Sequence, residues 1–157
     1  MSASPDFNLQ SAHRYFSARC FNRAWDLIDK PDRTPEEDEE MLRLSLAAHW
    51  HWTQRDDYTP TNASIGHWQT SRIYALRGQP ENAHRYGLLC LAASQSEGVS
   101  PFYLGYAYEA LARAEAIAGD REKMQIHLAA ARRLADSVTK AEDRQALLDD
   151  LATILPQ

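Results

Sequence analysis

Apolar positions along this chain recur at intervals of three and four residues, with polar positions filling the gaps. Met41, Leu44, Ser45, Ala48 and Trp52 mark one such stripe. Ile65, Trp68, Ile73 and Leu76 mark a second, and Phe102, Tyr106, Ala110, Ala116 and Ile117 a third. This period belongs to helices with one buried face, and no stretch alternates as a half-buried strand does. Proline and glycine fall at the breaks between stripes. Thr34, Pro35 and Glu37 have the order of an N-cap, a first helical residue and a capping-box acid. Ser100 and Pro101 repeat the cap-then-proline order, and Thr139 with Glu142 has the spacing of another capping box. Pro80 after Gly78, Asp120 after Gly119 and Asn62 after Pro60 each mark a helix start. The pattern predicts seven helices, over 7–29, 35–55, 62–77, 80–96, 101–118, 121–137 and 139–154. Short linkers make successive helices antiparallel.

Two of the helix pairs are alike. With Gly78 set on Gly119, "SRIYALRGQPEN" overlies "ARAEAIAGDREK" at an offset of 41 residues. Arg72 then falls on Arg113, Ala75 on Ala116, Leu76 on Ile117 and Glu81 on Glu122. Ser71, Tyr74, Gly78 and Ala83 stand in the order of a tetratricopeptide repeat: small residue, tyrosine, turn glycine, alanine. Ala112 and Gly119 hold two of those places in the second unit, while Glu115 and Met124 replace the tyrosine and the alanine. Tyr108 takes the early aromatic place there, and His67, beside Trp68, takes it in the first unit. Residues 62–138 thus resemble the tetratricopeptide family, with a spacing longer than its usual period of about 34 and without its closing proline. "NRAWDLID", "SRIYAL", "YEALARA" and "DLATI" resemble bacterial proteins of this general type, and the likeness implies no activity. It implies an all-α fold of antiparallel helix pairs stacked as a short right-handed α-solenoid. One domain over 1–157 is expected: a divergent first pair over 7–55, pairs over 62–96 and 101–137, and a capping helix over 139–154.

Composition narrows the classes of function. Hydrophobic residues make up 44% of the 157, enough for a core. A net charge of −5 argues against nucleic-acid binding, which needs surplus Lys and Arg. No apolar run approaches the ~20 residues of a membrane span, and "MSASPDFNLQ" lacks the basic start and apolar core of a signal peptide. The expected location is the cytoplasm. Cys20 and Cys90 are far apart, form no CxxC motif and read as reduced small hydrophobes. The acidic run Glu36–Glu40 reads as a solvated helix start, where negative charge suits the dipole.

Candidate chemistry begins with "AHWHWTQRD", residues 48–56. On a helix His49 and His51 point about 160° apart and cannot hold one metal between them. Trp52 belongs to the apolar stripe; Trp50 lies opposite and would be buried against a neighbouring element. His67 is a possible partner for either histidine, yet no HExxH motif and no pair of histidines four apart exists. No nucleophile elbow, phosphate loop, dinucleotide fingerprint or local triad appears, so no catalysis, cofactor or metal is expected.

Charge within an apolar arc is the more informative anomaly. Arg72 falls in the arc of the third helix; Glu109 and Arg113 fall in that of the fifth, four residues apart and able to pair. In the family resembled, the first helix of each pair lines a concave groove that takes extended peptides. The matching positions are Ile65, Trp68, Arg72 and Ala75, then Tyr106, Glu109, Arg113 and Ala116. Trp68, Arg72, Tyr106, Glu109 and Arg113 are the candidate ligand-binding residues, with arginine forks suited to a carboxylate and rings for flat contact. The family's Lys and Asn carboxylate clamp is not present. Alternatively, Arg72, Glu109 and Arg113 lock neighbouring helix pairs in register. Three classes follow. The first is a non-enzymatic protein- or peptide-binding adaptor. The second is a self-association or scaffold module, such as a homodimer with Trp50 or Tyr103 at the contact. The third is a small-molecule or metal binder at His49, His51 and His67 or at the arginine cluster.

Overall fold

The computed structural model describes residues 6–156. Among them are seven helices and no strand: α1 (Leu9–Ile28), α2 (Pro35–Thr53), α3 (Pro60–Leu76), α4 (Pro80–Ser94), α5 (Pro101–Ala118), α6 (Arg121–Ala135) and α7 (Ala141–Ala152). No helix of the described residues is long and apolar enough to cross a membrane.

Local chemistry sets most boundaries. Thr34 accepts from the Glu37 amide while the Glu37 carboxylate accepts from the Thr34 amide, which completes the capping box at α2. Ser100 and Asp120 cap α5 and α6 through their side-chain oxygens. Gly119 ends α5 at φ +80°, a left-handed conformation that costs a glycine little. Three starts differ from the sequence reading. Helix α1 begins at Leu9 rather than at residue 7, because the Asn8 side chain caps it by accepting from the Ser11 amide. Helix α3 begins at Pro60 rather than Asn62, since proline suits the first helical position. Helix α7 begins at Ala141, with Lys140 as N-cap and no side-chain cap, so Thr139 and Glu142 form no capping box. The Arg144 guanidinium donates to the Val138 carbonyl at 2.7 Å and holds the preceding turn out of the helix.

The chain forms two compact units, Met1–Thr59 and Pro60–Gln157. In the first, α1 and α2 are antiparallel. Gln10 and Ser17 of α1 bond to Gln54 and Arg55 at the end of α2, and Leu27 accepts from Arg33 just before α2 begins. In the second, sequential helices pack as neighbours, α3 also packs on α5, and α5 on α7. Helices α3, α5 and α7 therefore form one layer, with α4 and α6 behind it. Alanines at 107, 110, 112, 114 and 116 are buried along α5 and let its neighbours approach. Gly105 takes this furthest: a Cβ there would lie 2.6 Å from Leu147 Cδ2 of α7. Ala112, Ala116, Met124, Leu128, Leu147 and Leu151 form the core beneath.

Candidate functional site

The candidate residues lie on the α3–α5–α7 layer. Glu109, on the middle helix, is 1% exposed. A carboxylate so placed requires partners, because an unpaired buried charge is costly. Its Oε1 accepts from Arg113 Nε at 2.7 Å and from Arg113 Nη2. Its Oε2 accepts from the Trp68 indole Nε1 of α3 at 2.8 Å. Arg113 is 13% exposed, and its Nη2 reaches on to Thr153 Oγ1 at 3.0 Å and the Asp150 carbonyl at 3.3 Å at the end of α7. A polar ladder thus runs across three helices: Trp68, Glu109, Arg113, Thr153.

A second strand of contacts runs beside it. The Tyr106 hydroxyl donates to Asp150 Oδ2 at 2.7 Å. Burial, then that hydrogen bond, pushes the Tyr106 phenol well above its ordinary range, so it acts as a fixed donor. Trp68 meets Tyr106 edge-on at 5.3 Å between ring centroids, and Phe102 meets Tyr106 at 5.0 Å. Arg72 sits half-buried on α3, one turn beyond Trp68.

Among the sequence candidates, Trp68, Tyr106, Glu109 and Arg113 are joined in one bonded group, and Arg72 stands on the same helix as Trp68. The pairing of Glu109 with Arg113 was readable from spacing alone. Trp68 is a further donor to Glu109, which the sequence reading did not foresee. Asp150 and Thr153 escaped the sequence reading altogether, and no local signal marks them. So did a carboxylate–imidazole pair behind the layer, where Glu115 of α5 meets His84 Nδ1 of α4 at 2.8 Å.

The histidines of the first unit have local partners. His49 Nε2 lies 2.9 Å from the Tyr58 hydroxyl, and burial holds its imidazole below the ordinary value of 6.5. His51 Nδ1 lies 2.9 Å from His13 Nδ1, and burial followed by the His13 charge lowers it too. His67 belongs to the second unit and lies 6.0 Å from the Tyr86 ring. Among the described residues no group of three or more His, Cys, Asp or Glu is placed to hold a metal ion. Trp52 is buried, as its stripe predicts, whereas Trp50 is 56% exposed and not covered by a neighbour as expected. Both cysteines are free thiols. Burial raises both, that of Cys90 to about 11, which leaves the thiolate scarce. No protein-family model, curated protein or solved structure matches the chain.

Proposed function

We propose that this chain is a non-enzymatic adaptor of tetratricopeptide-like kind, which takes an extended protein segment across the α3–α5–α7 layer. One observation carries the reading: the Trp68–Glu109–Arg113–Thr153 ladder ties the alternate helices α3, α5 and α7 side by side. A fixed face loses little entropy when a partner binds, which favours affinity from a modest contact area. The ladder divides the labour among the candidates. Glu109 and Arg113 spend their hydrogen bonds on the fold. Trp68, Tyr106 and Arg72 then supply ring faces and a cationic head to the partner. An acidic side chain or a terminal carboxylate suits such a surface.

The test separates the two roles. A displayed library of random peptides is selected on the wild-type protein, and the selected sequences are measured by fluorescence anisotropy. Arg72→Gln is expected to weaken binding about tenfold or more, the scale of one charge-assisted contact. Glu109→Gln is expected to lower stability and affinity together. No selected peptide, or equal affinity for Arg72→Gln and wild type, overturns the reading.

A further inference from the structure

We propose that the α1–α2 pair docks a second copy of this chain, with α1 packed antiparallel on the same helix of the partner. The surface is a groove of about 750 Å³ whose lining includes Tyr15, Arg19, Asn22, Arg23, Asp26 and Glu40. Tyr15, Arg19, Asn22 and Asp26 follow one another at helical spacing and make a single stripe along α1. Tyr15 is exposed at one end of it, at 57%, and the neighbouring Phe16 with it, at 44%.

Charge complementarity decides the occupant. The groove is basic in its middle, at Arg19 and Arg23, and acidic beyond, at Asp26 with Glu40 of α2. A two-fold contact is self-complementary: whatever residue faces another is faced by it in return. An antiparallel copy crossing between Asn22 and Arg23 sets Arg19 of each chain against Asp26 of the other. The same operation serves the basic and the acidic halves at once, which a partner of uniform charge cannot do. The chain's own contacts leave these groups available. Arg23 and Asp26 approach only to 3.8 Å, with side chains 51% and 68% exposed, a separation at which water screens the pair. The Arg19 guanidinium rests over the Tyr15 ring at 6.0 Å and extends the flat surface toward the partner. This docking does not depend on the peptide-binding reading, since it uses other helices.

Sedimentation velocity on the full chain tests the proposal, with wild type, Arg19→Asp, Asp26→Arg and an equimolar mixture of the two variants. Wild type is expected to dimerise as concentration rises. Each variant alone turns two attractive contacts into two repulsive ones, and dimerisation is expected to weaken about tenfold or more. The mixture is expected to recover wild-type association, because the mixed pair brings opposite charges together at both contacts. A wild-type chain that stays monomeric throughout overturns the proposal. So does a mixture that associates no better than its separate components.

Discussion

The α1–α2 pair and the α3–α5–α7 layer are built from similar helices and treat their polar residues in opposite ways. Helix α1 buries four of its 20 residues, while α5 buries nine of its 18, including Glu109 and Glu115. The difference is one of neighbours. Helix α5 has α3, α4, α6 and α7 around it, whereas in its own unit α1 packs on α2 alone. Polar groups on α5 are therefore sealed and must be satisfied internally. The first unit seals Ser17 and Ser45 but keeps its carboxylates near the rim, as in Arg14 with Asp56, 46% and 63% exposed. The same bond types carry different energies in the two places, because burial removes the water that would otherwise replace a lost partner.

The sharpest way to break this comparison is Glu109→Ala. It strands the Arg113 guanidinium and the Trp68 indole in a dry site, and a loss of about 3–5 kcal/mol in urea unfolding is expected. A loss no larger than that of a surface substitution would mean the ladder is open to water. Gly105→Val is expected to cost less, about 1–3 kcal/mol, because the added carbons meet Leu147 and force α7 outward. An unchanged midpoint would show that α7 does not sit against α5. In the first unit, Thr34→Ala removes the capping box and is expected to cost about 1 kcal/mol. Hydrogen exchange at the first turn of α2 would report it.

Acidification should produce the smallest effect. His49 and His51 are held below 6.5 by burial, so the unfolded chain takes up protons before the folded one does. Their contribution to stability is whole above pH 6.5 and is lost as pH falls through the folded values. His127 of the second unit, also lowered chiefly by burial, adds one group of the same sign. Melting temperatures should hold steady just above pH 6.5 and decline on acidification below it, with a shallower decline for His49→Gln. A melting temperature that rises as pH falls through this window would contradict the assignment.

How much could be read in advance follows from distance along the chain. Capping at Thr34, Ser100 and Asp120, and the Glu109–Arg113 pair, span four residues or fewer. Spacing alone exposes such contacts. The Tyr106–Asp150 and Arg113–Thr153 bonds join residues 44 and 40 positions apart, and nothing near Asp150 or Thr153 distinguishes them from other polar residues of a helix end. The capping box expected at Thr139 did not form, for a more local reason. Its spacing was right, but Arg144 holds the Val138 turn, and Val138 is buried.

By itself the sequence determined the helices, the caps at Thr34, Ser100 and Asp120 and most of the positions that face inward, because these depend on backbone geometry within a turn or two. Only the tertiary structure decided which charged residue is sealed, which ring donates to it and which helix end completes the network. Those outcomes rest on how many neighbours each helix has, and that number is set by packing between segments remote in the chain.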